Sequence, residues 1–211
     1  MNKYKVLQEG ASYTFRSYCE MNAEPEDILS DLGYQLLTAR LVLPRTRAVL
    51  SWEGELQARL ERSLMVVTLT SETARRETLV APILLEVANH CQAQLRIEYP
   101  LSVSDWLKGN LDYLMRWSPT DLRSLSQSMV VIEAKRDDLT RGFTQLAAEL
   151  IALAQLQELE SVYGAVTIGD AWRFGHLDAV KKTITQDIAL YRIPDDLAQV
   201  LGVLVGILEV P

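Results

Sequence analysis

Hydrophobic spacing divides this chain near residue 94. Before that point, apolar side chains recur every three or four residues, the period of a helix with one buried face. In "AEPEDILSDLGYQLLTARLVLP", Ile28, Leu32, Leu36 and Ala39 keep that spacing. Pro25 suits a first helical turn and Pro44 ends the run, so the spacing predicts a helix. A second helix is predicted over 46–64, with Val49, Trp52, Leu56 and Leu60 on one stripe. "LTSETARRETLVAPILLEVANHCQ" predicts a third, capped by Ser71 or Thr70, with Glu72 and Glu77 early, where negative charge suits the helix dipole.

After Gln94 the period falls to two. "QLRIEYPLSVS" and "LKGNLDYLMRW" alternate, and "SQSMVVIEAK" is an apolar run that ends in charge. These predict three strands. "TRGFTQLAAELIALAQLQEL" predicts a long helix with Phe143, Leu146, Leu150 and Leu153 inward. "VYGAVTIGD" and "AWRFGHL" predict two further strands joined in a hairpin at Gly169-Asp170, and a last helix follows from about 194 to 209. The expected fold is therefore α/β (α+β): a central mixed sheet of about five strands flanked by helices. Residues 1–68 are expected to form an N-terminal helical extension packed on a core domain of residues 69–211.

Composition narrows the function classes. Hydrophobic residues make up 48% and charged residues 23%, the balance of a soluble globular chain. No apolar stretch reaches the roughly 20 residues needed to span a bilayer, so no membrane association is expected. The start "MNKYKVLQEGASYTF" has no apolar signal segment, which points to a cytoplasmic protein with Cys19 and Cys91 reduced. The segment "LAQVLGVLVGILEVP" reads as a buried or interface helix. The net charge of −7 argues mildly against a dedicated clamp on duplex DNA, although a carboxylate metal site is itself acidic. No G-x-S-x-G motif and no Gly-rich phosphate loop occurs, which removes the common serine-hydrolase and ATP-motor readings. His90 and His176 lack metal-ligand spacing, and Trp172 and Phe174 read as packing residues.

One stretch carries candidate chemistry. In "SMVVIEAKRDD", Glu133 and Lys135 are two residues apart at a strand end and so share a face. If the preceding strand pairs with this one in antiparallel fashion, Asp112 can sit opposite Glu133. Two carboxylates then converge beside one ammonium. Such oxygen donors suit a hard cation such as Mg²⁺, with Mn²⁺ as substitute. The cation can bind a scissile phosphate and acidify an attacking water, while the lysine positions that water and offsets developing charge.

This arrangement resembles the PD-(D/E)xK phosphodiesterase superfamily, the restriction-endonuclease-like fold. "LKGNLDYLM" is similar to that family's Gly-x-x-Asp strand and "VVIEAKRDD" to its E-x-K strand. "GFTQLAAEL" is similar to its following helix, and "VYGAVTIGDAWRFGHL" to the closing strands of type I restriction-subunit nuclease domains. The likeness covers roughly residues 70–178. It implies a metal-dependent DNA endonuclease with Asp112, Glu133, Lys135 and Gln145 as catalytic residues. Asp112 and Glu133 would hold the metal, joined by a first-helix acid, either Glu72 or Glu77. Lys108, Arg136 and Arg141 are candidate contacts to nucleic acid. The alternative is a non-catalytic interaction or regulatory protein on the same fold, a homodimer through residues 197–208.

Overall fold

A computed structural model describes residues 5–116, 129–134 and 138–209. In chain order the elements are α1 (Phe15–Glu20), α2 (Pro25–Asp31), β1 (Gln35–Ala39), α3 (Glu53–Leu64) and α4 (Glu72–Arg75). A π-helical turn (Arg76–Val80) leads into α5 (Ala81–Cys91), followed by β2 (Gln94–Ser104), β3 (Leu107–Arg116), β4 (Met129–Ala134) and α6 (Leu139–Gln157). The chain closes with β5 (Ser161–Thr167), β6 (Ala171–Asp178), β7 (Thr183–Asp187), β8 (Tyr191–Arg192) and α7 (Leu197–Glu209).

Among the described residues the fold is mixed α/β around one mixed sheet of eight strands, in the order β1-β7-β6-β5-β4-β3-β2 with β8 paired to β6. The central strands and the two long C-terminal helices fall where the periodicity places them. The sheet is larger than the five strands expected, for two reasons. Residues 183–192 add β7 and β8, segments of five and two residues that are too short to stand out by period. The expected helix through residue 39 also breaks. Gly33 takes φ +82°, its N–H bonds to Ser30 O at 3.0 Å, and the Tyr34 N–H bonds to Leu29 O at 2.9 Å. This pair of bonds closes α2 by a Schellman motif. Residues 35–39 then pair with β7 in parallel as an edge strand.

The second predicted helix is also shorter than its stripe suggested. It starts at Glu53, and Val49 is 93% exposed, whereas Leu56 and Leu60 are buried. Residues 40–52 instead run along α7. The Thr46 N–H bonds to Gly202 O at 2.9 Å, and Arg45 donates to the Tyr191 hydroxyl at 3.1 Å. Residues 1–68 thus contribute an edge strand and a packed loop as well as helices.

Two apolar layers sandwich the sheet. One holds α3, α5 and α7 against Tyr113, Met115, Ile132, Ala165, Trp172 and Phe174. The other holds α1, α2 and α6 against Leu114, Val162, Val166, Leu177 and Ile184. Helix α6 links the parallel neighbours β4 and β5 and is buried continuously from Gly142 to Ala154, because α1 and α2 cover the face that the sheet does not. Helix α7 is buried within the chain from Val203 to Leu208. Among the described residues, no helix is long and apolar enough to cross a membrane.

The contact between α7 and the preceding loop gives two opposite expectations. A Cβ on Gly206 would lie 2.6 Å from the Arg45 backbone, which cannot yield as a flexible side chain would. A Cβ on Gly202 would meet nothing within 4 Å. Urea unfolding should show Gly206→Ala destabilised by about 1–3 kcal/mol from overpacking. Gly202→Ala should instead gain up to about 1 kcal/mol from helix propensity.

Candidate active site

Strand alternation places the acids. On β4, Ile132 packs into the layer of α5 and α7, so the next residue, Glu133, faces α6. On β3, Leu114 packs on the α6 side, and Asp112, two residues earlier, shares that face. The antiparallel register pairs Tyr113 with Ile132, and one further step sets Asp112 opposite Glu133. Both carboxylates line one cavity of about 620 Å³, together with Gln145 from α6 and Glu72 from α4.

The cavity wall is built by local rules. Asp138 caps α6 by accepting from the Thr140 and Arg141 N–H groups, each at 2.9 Å, and this aims the helix start at the β4 end. Gly109 brings β3 against α1; a Cβ there would fall 2.9 Å from the Phe15 ring, and its φ of +145° favours glycine. Ser71 caps α4 by accepting from the Ala74 N–H at 3.0 Å. The helix then widens into the π-turn, where the Ala81 N–H reaches back to Arg76 O. The cause is Pro82, which lacks an N–H and whose ring would press on the Thr78 carbonyl in a regular helix.

Beneath the cavity lies a buried carboxyl pair. Glu133 is 1% exposed and Glu149 is fully buried. Gln145, 5% exposed, donates from Nε2 to Glu149 Oε1 at 2.9 Å, an i,i+4 bond along α6. Burial pushes the Glu149 carboxyl well above the usual carboxylate range, and the neighbouring Glu133 charge pushes it further. Two ionised carboxylates can only accept; a proton on Glu149 lets it donate to Glu133. The Gln145 Oε1 atom is buried with no hydrogen-bond partner.

Arg76 closes the other side. Its Nη2 donates to Glu98 Oε1 at 2.8 Å, its Nη1 lies 3.5 Å from Asp112 Oδ1, and its Nε reaches the Tyr113 hydroxyl at 3.4 Å. The guanidinium carbon sits 5.1 Å from the Tyr113 ring centre. Burial opposes the Arg76 charge, but the Tyr113 hydrogen bond and the Asp112 and Glu98 carboxylates more than offset this and raise its pKa above the ordinary arginine value.

The remaining predicted residues are spread around this centre. Glu72 lines the cavity, whereas Glu77 is exposed and does not. Lys108 pairs with Asp105 at 3.0 Å beside a shallower recess. Arg141 lies 3.6 Å from Asp138 and lines a neighbouring cavity of about 490 Å³ that shares the Asp138 wall. Lys135 and Arg136 lie outside the described residues. His90 accepts from the Trp52 indole at 3.3 Å, and His176 meets the Ser161 hydroxyl at 2.7 Å; neither borders the cavity. Glu149 and Arg76 escaped the sequence reading. A signal for Glu149 was present: it is the one charge within residues 142–154, four positions after Gln145.

The donor set is chemically suited to a hard cation. Among the described residues, the cavity is lined by the acids Glu20, Glu72, Glu98, Asp112, Glu133 and Asp138 but only the cations Arg16 and Arg76. Among those residues, no three His, Cys, Asp or Glu side chains gather closely enough to enclose a metal. Mg²⁺ needs only one or two carboxylates, because it keeps several waters. Asp112 and Glu133 meet that need, and Gln145 Oε1 is a further buried oxygen at the same wall. No family model matches this sequence, and no curated protein matches it.

The carboxyl pair makes stability depend on pH. The folded pKa of Glu149 is raised above its usual 4.5, so the folded chain holds a proton that the unfolded chain releases. Its contribution is complete below pH 4.5 and is lost as pH rises through the folded value. Denaturant titrations across this range should show a slope of up to about 1.4 kcal/mol per pH unit from this group in the wild type. Glu149→Gln should flatten that slope, and an unchanged slope would remove Glu149 as its source.

Proposed function

We propose that this protein is a metal-dependent phosphodiesterase that hydrolyses nucleic-acid backbones, with DNA as the first substrate to test, on a restriction-endonuclease-like architecture. The observation that supports it most is the convergence of Asp112 and Glu133, from paired strands, on one cavity beneath Gln145. A surplus of carboxylates repels a phosphodiester, so a substrate of this class requires a cation at the wall.

Asp112 and Glu133 would hold Mg²⁺ or Mn²⁺. When bound, such an ion polarises the phosphate and acidifies a water. Gln145, fixed through its amide by Glu149, would present Oε1 to accept a hydrogen bond from the attacking water and orient it. Asp138 and the α6 start keep the helix in register with the β4 end. Lys135, two residues beyond Glu133, is assigned by the E-x-K pattern the role of offsetting charge on the phosphate.

Purified protein should nick supercoiled DNA when Mg²⁺ or Mn²⁺ is added and lose that activity with chelator. Glu133→Gln and Lys135→Ala should each lower the rate by about 10²–10⁴-fold. Their circular dichroism should match that of the wild type. Cleavage that survives both substitutions would defeat the assignment. Protein that neither cleaves nor binds Mn²⁺ would favour the non-catalytic reading.

A further inference from the structure

Two backbone irregularities converge on one side chain. Arg76 opens the π-turn, a feature that is rare in helices and frequent at functional sites. Its closest carboxylate partner, Glu98, takes φ +52° in the middle of β2, a left-handed conformation that a residue with a side chain rarely adopts. The ladder between β2 and β3 pairs Ile97 with Tyr113 and Tyr99 with Leu111, and Glu98 turns out of it opposite Asp112. The result is a guanidinium laid over Tyr113, gripped tightly by Glu98 and loosely by Asp112, at the wall of the candidate site.

The unequal grip matters chemically. At 2.8 Å the Glu98 contact is a charge-assisted hydrogen bond, whereas at 3.5 Å the Asp112 contact is an ion pair without one. A guanidinium carries five N–H donors in a planar fork that fits phosphate oxygens. Glu98 and the Tyr113 hydroxyl engage two of them, and Asp112 faces the guanidinium without a hydrogen bond, which leaves donors for an incoming anion. Asp112 is also the carboxylate that the metal reading needs.

Resting on the phosphodiesterase reading above, we propose that Arg76 couples substrate to metal: it neutralises Asp112 until a phosphodiester anion draws the guanidinium away, which releases Asp112 to the cation. Arg76 and the metal therefore compete for Asp112, and phosphate resolves the competition in the metal's favour. Binding of each partner strengthens binding of the other by the same factor.

Mn²⁺ calorimetry tests this without relying on turnover. The probe for the anion is a short phosphorothioate-backbone oligodeoxynucleotide, which resists hydrolysis. In the wild type the oligonucleotide should tighten Mn²⁺ binding on the order of tenfold. In Arg76→Gln, Mn²⁺ should bind more tightly than in the wild type by a similar factor, and the oligonucleotide should tighten it by less than in the wild type, leaving only the direct attraction between phosphate and cation. Arg16→Gln, which removes a cavity cation paired instead with Glu20 at 2.7 Å, should leave Mn²⁺ affinity unchanged. Equal or weaker Mn²⁺ binding in Arg76→Gln, or an equal gain in Arg16→Gln, overturns the coupling role. Absence of coupling in the wild type overturns it even should Arg76→Gln fail to fold. Should Mn²⁺ binding be missing from every form, or survive both Asp112→Asn and Glu133→Gln, the metal site itself is wrong and the coupling falls with it.

Discussion

The site is organised by the burial of two carboxyl groups in contact, Glu133 from β4 and Glu149 from α6. Removing both from water as charges would cost several kcal/mol each. The fold meets that cost by keeping a proton on Glu149 and by a hydrogen bond from Gln145. Everything nearer the solvent inherits this arrangement. Gln145 is held by its amide, so its oxygen has one direction to face. Glu133 shares its cavity with Asp112 from the neighbouring strand. A pair of acids that would be a liability in an apolar layer thereby fixes the orientation of the groups above it.

Topology explains why the arrangement is local in part. Glu133, Gln145 and Glu149 come from a single strand–helix unit, with α6 crossing back over the sheet to set β5 parallel to β4. Asp112 arrives through an antiparallel neighbour, and Arg76 and Glu72 through a helical segment on the opposite layer. Arg75, next to Arg76, ties that segment to the β5–β6 turn through Ile168 O at 2.9 Å and Asp170 at 3.0 Å. The two faces of the sheet are thus joined at one end, where the cavity lies.

Much of this was readable from residue order. Period-two alternation located the central strands, and the adjacency of Asp112 and Glu133 followed from antiparallel pairing. Other features depended on tertiary context. Leu36 and Ala39 fit a helical stripe, yet Gly33 ends the helix and an unpaired edge of β7 captures the segment as a strand. Val49 fits a stripe as well, but its loop is claimed by α7. Arg76 carried no sequence signal, because its partners lie far along the chain at Glu98 and Asp112. Glu149 was legible as a charge in an apolar run, but its role required knowing that Glu133 packs against it.

The inverted backbone at Glu98 has a consequence beyond chemistry. Strand β2 is the outermost strand on its side, eleven residues long, and such an edge invites another chain to add to it. Glu98 interrupts its line of outward donors and acceptors, and Pro100, two residues on, supplies no donor at all. A strand laid along this edge would meet a break in the ladder at this point, so the kink that steers a guanidinium also blunts the edge as a template for pairing.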